Sequence, residues 1–521
     1  MTANRIVPPR SAPLLLLLLA PWAAALADPA AESPAATVVA IDARATGKPF
    51  PHFWEQMFGS GRAALSLRDD YRRDIRLMKK AADFRYVRAH AIFHDELGVY
   101  DEDEKGNATY NFSYVDQVYD GMLAEGVKPF VELSFMPMKL TSDPKGGMFP
   151  FWYKPNVAPP KDYARWDALI DAFARHLIER YGIEEVASWY FEVWNEPNIG
   201  FWGGNPQQST YYELYDHTAR ALKQVDTRLR VGGPSTAQAA WVGDFIRHCK
   251  DANVPVDFVS SHVYANDLSQ DVFHNDIPVP RDQMVCRAVR KVHEEILASP
   301  APAMPLIFSE YNASFMNEPN VTDSIYMGPW LATTVAQCDG LIEAMSYWTF
   351  SDVFEEQGVT KTPFFGGFGA IAERNIPKPA YNAFAMLHRL GDTRLPVDSD
   401  SVLATRRPDG SLAIAVWNYA PPDGTGAQYT PPGHAAAPRR MELHIAGSRA
   451  GAQATIQRLD ATHGNVLAAF DAMGRPPWPT RAQIARLRQA GSLPPADHAT
   501  VRAGMLSIEL PASGLALIVV K

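Results

Sequence analysis

Between Phe53 and Leu390 the chain repeats one pattern eight times: a short apolar run, then a longer amphipathic stretch. No other feature restricts the fold as much, because neighbouring parallel strands must be joined by a crossover, usually a helix. The strand-like runs are Phe53–Phe58, Phe84–His90, Pro129–Phe135, Trp189–Glu196, Leu229–Gly233, Phe258–Tyr264, Pro305–Tyr311 and Ala344–Phe350. Helical patterns follow at Asp70–Ala82, Tyr114–Glu125, Lys161–Tyr181, Tyr211–Val225, Val242–Ala252, Arg281–Ala298, Tyr326–Asp339 and Ala380–Arg389. The strand-like runs are largely continuous in apolar residues, as expected where both faces are buried. Residues 47–390 therefore predict an α/β fold, a (β/α)8 TIM barrel with its site at the C-terminal ends of the strands. The main insertions, Pro137–Pro160 and Ala265–Pro280, follow the third and sixth strands and fall at that end.

From 391 to 521 the period changes to two, with strand patterns at Val402–Arg406, Leu412–Asn418, Arg440–Ile445, Ala454–Leu459, Met505–Leu510 and Leu515–Val520. This predicts a C-terminal antiparallel β-sandwich without helices of its own. One exception is allowed, a helix at Arg481–Gln489 inside the Pro- and Arg-rich insertion Pro476–Ala496. The alternating stretch Thr37–Asp42, within 37–46, has no partner before the barrel, so it is expected to join the sandwich and build it from both chain ends. Residues 28–36, rich in Ala, Pro and Ser, read as a disordered leader. Residues 1–27 read as a secretory signal peptide: Arg5 and Arg10, the apolar run Leu14–Leu19, and the small-x-small site Ala25-Leu26-Ala27. A secreted or periplasmic location follows. No cysteine sits near the cleavage site to carry a lipid, and no other stretch is long and apolar enough to span a bilayer.

The net charge of −9 argues against nucleic acid as the main partner, since phosphate binding wants a basic face. The three cysteines, Cys249, Cys286 and Cys338, are too few for a disulfide framework and are expected as buried free thiols. No HExxH or paired-cysteine spacing occurs, His90 and His94 follow a strand rather than share a helix face, and Gly366-Gly367-Phe368-Gly369 lacks the context of a phosphate loop. No metal or cofactor is expected.

The chemistry concentrates at two strand ends. Strand four runs Trp189-Tyr190-Phe191-Glu192-Val193-Trp194 and stops at Asn195-Glu196-Pro197-Asn198. Strand seven runs Pro305-Leu306-Ile307-Phe308-Ser309 and stops at Glu310-Tyr311-Asn312. A carboxylate at the end of a buried strand is costly without a task. Two of them, facing each other across a barrel mouth, are what glycoside hydrolysis needs: one acid to protonate the leaving oxygen, one ionised carboxylate to attack the anomeric carbon. Glu196, beside Trp194 and a second carboxylate, is expected to be protonated near neutral pH. Glu310 is expected to stay ionised, supported by Arg88 at the end of strand two. His90, His262, Tyr264 and Trp348 also fall at strand ends, Trp348 as a flat platform for a sugar ring. Any one of them alone reads more simply as a packed structural residue. Their coincidence on one face points to a sugar site, and the presence of both Glu196 and Glu310 favours catalysis over a non-catalytic sugar-binding barrel, which has no need of both.

With these residues the chain resembles the clan A glycoside hydrolases and, within them, glycoside hydrolase family 39, which holds β-xylosidases and α-L-iduronidases. The matching stretches are Pro51-His52-Phe53-Trp54, Val87-Arg88-Ala89-His90, Glu192–Asn198, Ser261-His262-Val263-Tyr264, Phe308–Asn312 and Trp348–Glu356. The resemblance implies a retaining double displacement with Glu196 as acid/base and Glu310 as nucleophile, about 5–5.5 Å apart. It also implies that Asn195 hydrogen-bonds the sugar 2-hydroxyl and that His90, His262 and Tyr264 line the same subsite. An iduronidase must hold a carboxylate, and in that branch an Arg follows the eighth-strand loop. Here Glu355 and Glu356 occupy that loop, with no Arg before Arg374, although Lys361 offers a cation. The two glutamates would repel a uronate and accept hydrogen bonds from neutral hydroxyls. The expected activity is release of β-D-xylose from the non-reducing end of xylo-oligosaccharides, ahead of an iduronidase-like or endo-acting clan A hydrolase.

Overall fold

The computed structural model describes residues 36–422 and 437–521. The expected signal peptide and all but the last residue of the leader lie outside the described residues. Eight parallel strands close into a barrel in chain order. They are β1 Met57–Arg62, β2 Tyr86–His90, β3 Lys128–Leu133, β4 Tyr190–Val193, β5 Arg230–Thr236, β6 Phe258–Tyr264, β7 Leu306–Asn312 and β8 Ala344–Tyr347. Pairing of Ser346 with Met57 and Tyr347 with Phe58 joins β8 to β1.

The barrel interior is layered by the two-residue period of its strands. Met57, Phe130, Phe258, Ile307 and Ala344, with Tyr86 and Tyr190, fill its N-terminal end. Two residues further along, the same strands carry Arg88, Glu132, Glu192, Ser260 and Ser309, all buried. Between β6 and β7 the register slips after Ser261, so that His262 pairs with Glu310 and Ser309 is skipped. That irregularity aims Glu310 into the same mouth as His262, as bulges beside active sites commonly do.

Two strand boundaries differ from the expectation. The first strand starts at Met57, not Phe53, because Phe53 and Trp54 bury their rings in the core from a turn. The strand itself contains Gly59, Ser60 and Gly61, which read as loop residues. The two glycines leave space that other side chains need: a Cβ at Gly59 would collide with the Trp348 indole, and one at Gly61 would crowd Leu65 and Phe354 at 3.1 Å. The fourth strand ends at Val193, before Trp194 and Glu196 enter left-handed backbone at φ 72° and 43°.

The sandwich is built from both chain ends. Thr37–Asp42 pairs in parallel with Arg439–Ala446, which pairs antiparallel with Met505–Leu510. A second sheet has seven strands and also takes in Lys48–Pro49. In its strands Leu412–Asn418 and Gly514–Val520, the residues Ile414, Val416, Ala516 and Ile518 face the sandwich core. The alternate residues Ala413, Ala415, Trp417, Leu515 and Leu517 join the barrel's core instead. Both faces are thus covered, and the sheet lies against the helices Met327–Cys338 and Pro379–Leu387. The region is not free of helices. Besides Arg481–Ala490, started by a Thr480–Gln483 capping box, a helix spans Val466–Ala472.

The cysteine expectation is corrected. Cys286 and Cys338 form a disulfide with a Cα–Cα distance of 5.2 Å, and Cys249 alone is free and buried. The bridge links helix Arg281–Leu297 to the end of Met327–Cys338. These helices follow β6 and β7 and lie side by side in the outer ring, a proximity that spacing of 52 residues along the chain does not reveal. Among the described residues no helix is long and apolar enough to cross a membrane.

Candidate active site

The Asn195–Asn198 segment is bolted to the end of β5. The Asn198 side chain donates to the Ala237 carbonyl (3.0 Å) and accepts from the Ala237 N–H (2.8 Å). The Glu196 N–H donates to the Ser235 carbonyl at 2.8 Å. The buried Trp194 indole donates to the Phe201 carbonyl at 2.6 Å. These contacts hold two non-glycine residues in a costly left-handed conformation, and strain of this kind collects at functional sites.

Glu196 and Glu310 face each other across the mouth. One oxygen of each, and one ring nitrogen of His262, all lie within 4.8 Å of one another. Their surroundings differ. Glu310 accepts from Arg88 Nη1 at 2.7 Å and from the Tyr264 hydroxyl at 2.6 Å. Among the described residues the Glu196 carboxylate's one hydrogen-bond contact is the His262 ring, Nδ1 to Oε1 at 3.0 Å. Burial raises the Glu196 pKa well above the ordinary carboxylate range, and the nearby charges of Glu310 and Asp267 add to this. Burial also raises that of Glu310, but Arg88, His90 and the Tyr264 hydroxyl pull against it. Protons therefore stay longer on Glu196 than on Glu310.

Arg88 organises the floor. Its Nε donates to Glu192 (2.6 Å), and Nη2 donates to Asn195 Oδ1 (2.9 Å) and lies 2.8 Å from Glu132. Burial alone would lower its pKa, but Glu132, Glu192 and Glu310 together raise it, so the guanidinium stays charged. Because Asn195 spends its oxygen on Arg88, its NH2 group is left to face the cavity. His90 Nδ1 contacts Glu132 at 2.6 Å, which leaves Nε2 towards Glu356, 3.7 Å away. The Trp348 ring lies 4.7 Å from that of His90.

The cavity above has a volume of about 300 Å³. Its lining includes His90, Asn195, Glu196, Tyr264, Glu310, Trp348 and Glu356. His262 and Arg88 lie behind this surface and act through the residues they touch. Glu355 does not line the cavity. It binds Arg62 (3.1 Å) and Arg68 (2.8 Å), and Arg62 packs over the Trp152 and Tyr153 rings. Glu355 thus braces the wall where the Trp152 N–H donates to the Glu356 carbonyl at 2.7 Å. Lys361 lines a neighbouring cavity. No Lys or Arg is among the described residues lining the catalytic cavity, whereas Glu196, Asp267, Glu310 and Glu356 are.

Several participants escaped the sequence reading. Glu132 and Glu192 are charges inside apolar strands, a visible signal, but neither ends its strand. Phe149, Phe151 and Phe201 form an aromatic wall beside Glu196, with Phe149 and Phe201 stacked at 3.8 Å. They come from two loops whose proximity only the fold creates.

A barrel with paired carboxylates at the ends of β4 and β7 has the architecture and chemistry of a glycoside hydrolase. The family model for glycosyl hydrolases family 39 matches residues 37–504. A β-xylosidase of Geobacillus stearothermophilus is 37% identical over 85% of this chain and 86% of its own length. One from Caldicellulosiruptor saccharolyticus is 34% identical over 85% and 88%. The crystal structure of a monomeric β-xylosidase from Caulobacter crescentus CB15 superposes with a TM-score of 0.83 at 34% identity, over 93% of this chain and 99% of that one. The chain belongs to glycosyl hydrolase family 39 and is a glycoside hydrolase.

Proposed function

We propose that the protein is a retaining, exo-acting β-D-xylosidase that removes xylose from the non-reducing end of xylo-oligosaccharides. The observation that carries this is the approach of one Glu196 oxygen to one Glu310 oxygen to within 4.8 Å. That suits the spacing of about 5–5.5 Å in retaining enzymes, and falls short of the roughly 6.5–9.5 Å that inverting enzymes need to seat a water. Protonated Glu196 gives its proton to the glycosidic oxygen while Glu310 attacks the anomeric carbon and the aglycone departs. Glu196, now a carboxylate, takes a proton from water, which attacks the anomeric carbon and releases Glu310. Two inversions leave the β configuration.

Arg88 and Tyr264 keep the nucleophile ionised and aimed. Asn195 offers its NH2 to the 2-hydroxyl, and Trp348 supplies a flat surface. Xylose over iduronate is supported by the lining: among the described residues it holds four carboxyl groups and no cation to pair with a uronate. Exo action is supported by the wall joining the β3 insertion to the β8 loop through Trp152 and Glu356. Secretion is supported by the N-terminal signal pattern and by the Cys286–Cys338 disulfide, which suits an oxidising compartment.

The test is turnover of an aryl β-D-xyloside followed by proton NMR. Release of β-xylose first is expected. Release of the α anomer first would exclude the double displacement, and cleavage of an aryl α-L-iduronide with no action on the xyloside would exclude the substrate.

A further inference from the structure

His262 touches polar atoms on both sides of its ring, and its tautomer is settled by what lies behind it. The Ser309 hydroxyl donates to Glu192 Oε1 at 2.6 Å. The other Glu192 oxygen is taken by Arg88, so Glu192 only accepts. Ser309 has a single proton and has given it away. Its oxygen nevertheless lies 3.1 Å from His262 Nε2. Two lone pairs facing at that distance would repel, whereas an Nε2–H would donate to the serine. The Ser235 oxygen, 3.3 Å from Nε2, already accepts from Arg88 Nη2 at 3.2 Å and can share the same proton. With the ring neutral and its hydrogen on Nε2, Nδ1 carries a lone pair, and that lone pair faces Glu196 at 3.0 Å.

We propose that Ser309, itself held by Glu192, is a positioning residue that locks His262 in the Nε2–H tautomer, so that its Nδ1 lone pair keeps the catalytic proton on Glu196. This rests on the reading of Glu196 as acid/base. A neutral imidazole presenting a lone pair can only accept from Glu196. It stabilises the protonated carboxyl and gives the ionised one nothing, which keeps Glu196 a strong proton acceptor in the second half-reaction. The opposite tautomer would donate to the carboxylate and weaken it as an acid trap. The neutral state of the ring is supported by burial and by the charges of Arg88 and His90, which hold the His262 pKa well below its ordinary value. The charged and titratable groups around the pair are Arg88 and His90 from β2, Glu192 through Ser309, Tyr264 from β6 and Asp267 after it, Glu310 from β7 and Glu356 after β8. The nearest of these to Nδ1 is Glu310, whose Oε2 is 3.7 Å away and already accepts from Tyr264. None of them offers Glu196 a donor in place of His262.

Two measurements test this. In the wild-type protein labelled with ¹⁵N-histidine, the resonance absent from His262→Asn should show a proton on Nε2 and a bare Nδ1. A proton on Nδ1 overturns the proposal without recourse to any variant at position 309. In Ser309→Ala the ring is free to turn its tautomer and donate to Glu196. The alkaline limb of kcat/KM on an aryl β-D-xyloside should then move down by about one pH unit, with the acid limb in place, and Ser309→Thr should restore it. An unmoved alkaline limb in an active Ser309→Ala enzyme overturns the relay while leaving the hydrolase reading intact. Full turnover in Glu196→Gln would instead remove the acid/base reading itself.

Discussion

Two clusters of three titratable side chains each draw their ligand-type atoms within 4.8 Å, at opposite ends of the barrel. At the mouth are Glu196, His262 and Glu310. At the foot, before β1 and after the last barrel helix, are His52, Glu55 and His388. The foot closes on itself: each Glu55 oxygen accepts from one imidazole, at 2.6 and 2.7 Å. Burial pushes the Glu55 pKa up, but the His388 and His52 hydrogen bonds and charges carry it below its ordinary value, while the Glu55 bond raises that of His388. Glu55 and His388 each favour the other's charged form. At the mouth two carboxylates share one imidazole, and the shifts reverse, with Glu196 up and His262 down. The same residue types give a clamp where charges match and a proton store where acids outnumber bases in a buried place.

The largest expected break in this contrast is at the mouth. Glu310→Ala should lower turnover of an aryl β-D-xyloside by roughly 10⁴-fold or more, as loss of a nucleophile does. Azide should then separate the two carboxylates by stereochemistry. Rescue of Glu310→Ala should give the α-xylosyl azide by a single inversion. Rescue of Glu196→Ala, in which the covalent intermediate still forms, should give the β product. Identical products from both variants would show that the roles are misassigned.

Next in size is Arg88→Met. It leaves Glu132, Glu192 and Glu310 buried together with no cation, a loss on the order of 3–5 kcal/mol. A fall in the urea midpoint should accompany the loss of turnover. If activity fell with stability unchanged, Arg88 would serve only the nucleophile and the charged floor would not be the structural counterpart of the foot clamp. Smaller again is Glu356→Gln, which removes one of the four acidic groups lining the cavity. Burial and the charges of Glu310 and Glu132 raise the Glu356 pKa well above the ordinary carboxylate range, so the amide replaces a neutral acid and kcat/KM on the xyloside should fall by less than about tenfold, the scale of one hydrogen bond. Any activity on an aryl uronide should stay in proportion to that on the xyloside, and a relative rise would mean that Glu356 is charged and selects against anionic sugars.

The sequence made the mouth legible and the floor beneath it obscure, for physical reasons. Glu196 and Glu310 stand out because each ends an apolar run with polar residues beyond it. Glu132 and Glu192 carry the same unusual charge but inside their runs, where only the barrel's layering shows that they meet Arg88. Ser309 is one more residue of the strand-seven run in the sequence, and it becomes a contact of His262 beside the register slip between β6 and β7. Sheet membership of Thr37–Asp42 was readable from its period and its lack of an earlier partner. The true first strand was not, because Gly59 and Gly61 are small to admit Trp348 and Phe354, a demand made by residues nearly 300 positions away. Glu355 was read, with Glu356, as a sugar ligand because both lie in the loop after the eighth strand. Along a loop, neighbours can point to different surroundings, and Arg62 and Arg68 claim it.

The smallest effect belongs to the foot and has a distinctive pH signature. His388 has a folded pKa above its ordinary 6.5, so its contribution is whole below about that pH and is lost as pH rises through the folded value. Glu55 has a folded pKa below 4.5, so its contribution is whole above that pH and is lost as pH falls through the folded value. Both are complete between the two, from about pH 4.5 to 6.5. The His388 side chain is 45% exposed, so solvent screening limits the gain to about 1 kcal/mol at most. His388→Ala should therefore lower the melting temperature most near pH 5.5 and progressively less towards pH 9, with kcat/KM on the xyloside unchanged throughout. A constant deficit across that range would assign the loss to packing of the imidazole against the His52 ring rather than to charge. A change in activity would mean that the foot and the mouth are coupled through the strands, and the two clusters could no longer be treated as independent.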